Sequence, residues 1–241
     1  MSGLLVSVRN ASEAHAALAG GAAIVDVKEP LNGSLGAAAP QTVAEVAQEL
    51  RGQVLLSVAL GEILDRSGDF SPADLPAGIE FAKFGLAGCA SDPHWESKWI
   101  RLLCQLPDNV NRVAVAYADW QRALSPDPRQ VISSGARQRC RAVLIDTYRK
   151  DSGSLLNHLT SDELTEIVDL GRQLKMLVVI AGSVDLPIIK RLASLQPDYF
   201  AVRGAVCHGT RIGTLDPGRV RQLVDFLDQQ KPLTDGVRTK V

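Results

Sequence analysis

Short apolar runs closed by turn residues recur along the chain, and between them apolar residues fall at helical spacing. A Val/Ile/Leu-rich run too short for a helix reads as a strand buried on both faces, and the periodic stretch after it reads as the helix that covers it. Eight strand candidates follow: LLVSV at 4–8, AIVDVK at 23–28, VLLSVAL at 54–60, FAKFGL at 81–86, RVAVAYA at 112–118, AVLIDT at 142–147, LVVIAG at 177–182 and YFAVRG at 199–204.

Helices are expected from Ser12 to the Gly20-Gly21 stop, and over 40–50, 95–105, 129–135, 161–174, 186–195 and 217–229. Ser161 with Leu164, Ile167, Val168 and Leu170 is the clearest amphipathic case. The stretch after the third strand, FSPADLPAG at 70–78, contains two prolines and reads as at most a short helical turn. Strict strand-helix alternation with right-handed crossovers closes into a single (β/α)8 barrel, the TIM-barrel architecture. The rival is an open doubly wound sheet, which calls for a glycine-rich turn after the first strand, and LLVSVRNAS contains no glycine. One barrel domain is expected over 1–230, with 231–241 (KPLTDGVRTKV) as a polar extension.

Composition narrows the function. Hydrophobic residues make up 46% of the chain and aromatics only 5%, so the core is built from Ala, Val, Leu and Ile. A net charge of −1, with no long Lys/Arg run, argues against nucleic acid or a membrane surface as partner. No apolar stretch reaches the roughly 18–20 residues that cross a bilayer, and MSGLLVSV lacks the features of a secretory signal, so a cytoplasmic protein is expected. Cys89, Cys104, Cys140 and Cys207 lack ligand or disulfide spacing and read as buried or half-buried thiols. No metal site is expected, and a homo-oligomer is compatible with the sequence.

In such barrels the chemistry sits at the carboxyl ends of the strands. The second strand ends AIVDVKEP, which puts Asp26 and Lys28 on one face. They form either a structural ion pair or an amine nucleophile beside a proton-handling carboxylate. Lys83, inside the apolar fourth strand, either snorkels or points into the barrel. Asp146 closes the sixth strand as a candidate general acid/base or loop cap, and Lys150 begins the loop after it. The small-residue turns after strands seven and eight suit an anion: Gly182, Ser183, Gly204 and Ala205 through backbone N–H groups, and Arg203 through its guanidinium. Tight turns that need glycine are the plainer reading.

At these residues the chain resembles the (5-formylfuran-3-yl)methyl phosphate synthase family, also called 4-(hydroxymethyl)-2-furancarboxaldehyde-phosphate synthase. The likeness rests on AGGAAIVDVKEPLNGSLGA at 19–37, FAKFGLAG at 81–88, LIDTYRKDSGSLLNHL at 144–159, IAGSV at 180–184 and AVRGAVCHG at 201–209, and it spans nearly the whole chain. It implies a barrel lyase that condenses two molecules of glyceraldehyde 3-phosphate through a lysine imine, without cofactor. Water and one phosphate are lost, and the furan product serves methanofuran-type carriers of one-carbon metabolism. Carried over by motif, the imine lysine is Lys28, with Asp26, Lys83, Asp146 and Lys150 around it. The segments 61–74 and 120–128, and HGTRIG after Cys207, depart from the family pattern and leave loop contacts open. Other readings are a lysine-dependent class I aldolase, a phosphosugar isomerase, or a non-catalytic barrel that binds triose phosphate.

Overall fold

A computed structural model describes residues 2–65 and 71–230. Eight parallel strands pair in chain order and the last closes on the first: β1 (Gly3–Val8), β2 (Ile24–Val27), β3 (Leu55–Glu62), β4 (Phe81–Gly85), β5 (Asn111–Tyr117), β6 (Ala142–Asp146), β7 (Leu177–Ile180) and β8 (Tyr199–Val202). Closure rules out the open sheet. The polar extension expected over 231–241 lies outside the described residues.

Strand alternation divides the core in two. Inward residues such as Leu5, Val113, Val115, Leu144 and Val179 fill the barrel. Their neighbours Val6, Val25, Val58, Val143 and Val178 pack outward under the helices. Among the described residues the helices are α1 (Ala11–Gly20), α2 (Pro40–Glu49), α3 (Trp95–Leu103), α4 (Pro128–Arg137), α5 (Ser161–Gln173), α6 (Leu186–Leu192) and α7 (Pro217–Gln229).

Helix ends follow local chemistry. Asn10, rather than Ser12, starts α1, because its side chain accepts the Glu13 N–H at 2.9 Å; Gly21, with φ of 92°, stops it. Thr160 and Glu163 close a capping box on α5. No α-helix follows β3 among the described residues. Pro72 and Pro76 leave only a 3₁₀ turn at Pro72–Asp74, and Phe70 of the expected segment lies outside the described residues. Cys89, Cys140 and Cys207 are buried, but Cys104 is exposed at the end of α3, which corrects the expectation of buried thiols throughout. No described helix is long and apolar enough to cross a membrane.

Register positions the site. Parallel pairing sets Ser7 of β1 beside Asp26 of β2, and Asp26 beside Ser57 of β3. Three inward polar side chains therefore stand abreast near the barrel mouth, with Lys83 of β4 paired one inward step further along β3, at Ala59.

Candidate active site

A cavity of about 390 Å³ opens at the carboxyl ends of the strands, lined among others by Asp26, Lys28, Lys83, Asp146, Lys150 and Arg211. Lys83 is buried and ion-paired with Asp26, and its Nζ also donates to Ser57 Oγ at 2.7 Å. Ser7 Oγ donates to the other Asp26 oxygen at 3.1 Å. Burial alone would raise the Asp26 pKa, but the charges of Lys83 and Lys28 outweigh it and hold the carboxyl below its ordinary value.

A second pair faces the same space. Lys150 Nζ lies 2.6 Å from Asp146 Oδ1, which also accepts the Thr147 N–H at 2.8 Å. Ser34 Oγ donates to Asp146 Oδ2 at 3.2 Å and to the Thr147 carbonyl at 2.8 Å, which ties the loop after β2 to the end of β6. That loop folds tightly because Gly36 leaves no room for a Cβ against the Glu29 carbonyl, and Glu29 N–H donates back to the Gly36 carbonyl at 2.9 Å. Burial works to raise the Asp146 pKa, yet the Lys150 and Lys28 charges bring it below the usual carboxylate range.

Lys28 lies between these pairs and differs from both other lysines. It is only 8% exposed, yet among the described residues its ammonium has no hydrogen bond or ion pair, only the longer-range pull of Asp146 and Asp26. Burial depresses its pKa from 10.5 to about 8, against those two carboxylates and with help from Lys150 and Arg211. At pH 7 about a tenth of the amine is then neutral, on the order of 300 times the fraction of an ordinary lysine. The neutral form grows as pH rises. The rate of borohydride-trapped adduct formation at Lys28 is therefore expected to climb about tenfold per unit below pH 8 and to level above it. A profile still rising tenfold per unit at pH 9.5 would show an unperturbed amine.

The turns after β7 and β8 form the adjoining wall. Gly182 and Ser183 both have left-handed backbones, with φ of 91° and 55°. A Cβ on Gly182 would press on Thr147 Cγ2 at 3.0 Å, and non-glycine Ser183 carries local strain of order 1 kcal/mol. Among the described residues the N–H groups of Gly182, Ser183, Gly204 and Ala205 have no acceptor, and these four residues border the cavity. Such a concavity of amide dipoles suits an anion.

Arg203 corrects the sequence reading. It borders the cavity but is 6% exposed, and its fork is taken up by protein: Nη1 and Nη2 reach the Glu13 carboxylate at 2.7 and 3.2 Å, Nη1 also donates to the Ser7 carbonyl, and Nε to the Arg211 carbonyl at 2.5 Å. A guanidinium with these four bonds holds loops together and has little left for a phosphate.

Comparison with known proteins decides the kinship. The family model described as 4-HFC-P synthase matches residues 4–224. The chain belongs to the 4-HFC-P synthase family. The (5-formylfuran-3-yl)methyl phosphate synthase of Methanococcus aeolicus is 33% identical, with 93% of this chain and 99% of the relative covered. That of Methanosarcina mazei is 34% identical, with 92% and 97% covered. In fold, the chain is similar to 3-hexulose-6-phosphate synthase from Salmonella typhimurium (TM-score 0.66, 15% identity, 95% of this chain and 100% of that one). It is also similar to phosphoribosyl anthranilate isomerase from Thermotoga maritima (TM-score 0.63, 12% identity, 95% and 100%).

The stretch matched to the 4-HFC-P synthase family contains every site residue named above, and also residues that strand-end reasoning missed. Ser7 and Ser57 could have been found as inward hydroxyls in otherwise apolar strands. Asp119, after β5, accepts the Tyr148 and Arg149 N–H groups at 2.7 and 2.8 Å, so it steers the loop that carries Lys150. Nothing local in the sequence announces that role. Glu62 accepts the Tyr117 hydroxyl at 2.5 Å and the Ala87 N–H at 2.8 Å, where Gly85 has no Cβ to displace it. Burial raises the Glu62 pKa, but the residue does not border the cavity. Among the described residues no group of His, Cys, Asp and Glu is arranged to hold a metal ion.

Proposed function

We propose that this protein condenses two molecules of glyceraldehyde 3-phosphate into (5-formylfuran-3-yl)methyl phosphate, with loss of two waters and one phosphate, through an imine on Lys28. The observation that carries the reading is a buried amine, without a direct partner among the described residues and with its pKa lowered to about 8, between two Lys–Asp pairs in a chain of this family. The neutral amine adds to the first aldehyde and expels its oxygen as water, giving an imine. The imine acidifies the neighbouring C–H bond, and its removal leaves an enamine that attacks the second aldehyde.

Each proton step needs a proton acceptor or donor within reach. Asp146 serves as general acid/base, with Lys150 supporting its ionised form; Lys83 and Asp26, drier and held by two serines, set the field around the imine. One triose phosphate rests on the N–H groups of Gly182, Ser183, Gly204 and Ala205. No cofactor enters the scheme, the substrate is a small phosphorylated aldehyde, and the product would feed methanofuran-type carriers in the cytoplasm.

Incubation of the purified protein with glyceraldehyde 3-phosphate alone should give furan absorbance and inorganic phosphate in equal amounts. Borohydride added during turnover should leave a mass adduct on the peptide containing Lys28. An adduct without furan points to an aldolase or isomerase, and binding with neither points to a non-catalytic barrel; both results reject the proposal.

A further inference from the structure

We propose that Arg211 forms a second anion subsite in this cavity, apart from the N–H groups of the β7 and β8 turns, and that it holds the phosphate of the second triose. The assignment to a triose rests on the function proposed above; the anion subsite itself does not.

Among the described residues five cationic side chains border the cavity: Lys28, Lys83, Lys150, Arg203 and Arg211. Lys83 is matched by Asp26, Lys150 by Asp146 and Arg203 by Glu13. Asp185 is engaged in capping α6, where it accepts the Ile188 N–H at 3.0 Å. Lys28 and Arg211 remain as the two cavity cations without a carboxylate in direct contact among the described residues. Lys28 must shed its proton to attack a carbonyl, whereas a guanidinium keeps its charge throughout. Arg211 is thus a permanent, half-buried positive charge facing a cavity, a costly arrangement for the empty protein that a dianionic ligand would offset.

The placement of Arg211 is built. Its carbonyl accepts Arg203 Nε at 2.5 Å, and Arg203 is anchored on Glu13 and the Ser7 carbonyl. From the loop after β8 its side chain crosses to the loop after β2, where Nη2 donates to the Gly33 carbonyl at 3.2 Å. That contact uses one donor of the fork and leaves the others for a ligand. The guanidinium therefore belongs to the side of the mouth that follows Lys28, while the N–H groups without an acceptor among the described residues belong to the β7 and β8 turns. A reaction that joins two phosphorylated trioses needs two phosphate supports, and amide dipoles on one side with a guanidinium on the other supply them.

Inorganic phosphate and the full-length chain test the subsite directly. Equilibrium dialysis should find two phosphates per wild-type chain and one per Arg211→Gln chain; one in the wild type, or two in the variant, overturns the proposal. In the furan assay Arg211→Gln should raise KM for glyceraldehyde 3-phosphate at least about tenfold, the loss of a charge-assisted hydrogen bond, with partial recovery in Arg211→Lys. Borohydride trapping of a single triose on Lys28, read at about pH 9 so that loss of the Arg211 charge changes the neutral fraction of that amine little, should fall far less in Arg211→Gln than furan formation does, which also reports that the variant folds. Trapping lost in parallel with furan formation would put Arg211 on the first triose and overturn the assignment. Wild-type protein that binds two phosphates but makes no furan would reject the proposed reaction and leave the subsite standing.

Discussion

Lys28→Ala is expected to abolish the borohydride-trapped adduct and to lower furan formation by at least about 10³-fold, while the protein stays folded. The separation of activity from stability follows from the surroundings. Because the Lys28 ammonium has no direct partner among the described residues, its removal strands no buried group: Asp26 keeps Lys83 and Ser7, and Asp146 keeps Lys150, Ser34 and the Thr147 N–H. Loss of a desolvated ammonium is expected to leave the melting temperature unchanged or raised. Steady-state furan assays and thermal melts, run on the same preparation, decide it. Retained turnover within tenfold of wild type would remove the imine mechanism.

Glu13→Ala should have the largest effect on stability, although Glu13 is not among the residues that border the cavity. It would leave the Arg203 guanidinium, 6% exposed, without its carboxylate, a loss worth about 3–5 kcal/mol. For a chain of this size that corresponds to a drop of roughly 6–20 °C in melting temperature. The Arg9 N–H, which donates to Glu13 Oε2 at 2.8 Å, would also lose its acceptor. The double variant Glu13→Ala/Arg203→Met should recover most of the stability but not the affinity for triose phosphate, because the Arg211 carbonyl would still lack its anchor. A single variant that melts within 2 °C of wild type would show that the pair is not a structural clamp.

Much of the barrel is legible in the sequence. Parallel strands buried on both faces must be continuous apolar runs, so β1 to β8 are visible wherever Val, Ile, Leu and Ala cluster between turn residues. Helix ends are equally local, except where a side chain chooses among neighbours. Ser12 and Asn10 are both plausible caps, and the bond from the Glu13 N–H selects Asn10. The stretch after β3 reads correctly as a turn because proline removes donors whatever the tertiary context.

Site residues divide by the same logic. Charged residues in apolar strands, such as Asp26, Lys83 and Asp146, stand out because burying them is costly without a purpose. Arg203 stands out for the same reason but its partner does not. Glu13 lies 190 positions away in a helix where any glutamate is ordinary, so from the sequence alone the fork reads as a phosphate ligand. Arg211 is a loop arginine, which needs no explanation until its surroundings are known.

By itself, then, the sequence determined the order of strands and helices, the barrel that they close, the family, and which ionisable side chains gather at the strand ends. These depend on periodicity and on the cost of burial, both of which act locally. Only the tertiary structure decided the pairing: Lys83 with Asp26, Lys150 with Asp146, Arg203 with Glu13, and Lys28 and Arg211 with no carboxylate in direct contact among the described residues. The physical reason is that an ion pair depends on a few ångströms in space, and closing a barrel brings together residues that the chain keeps far apart.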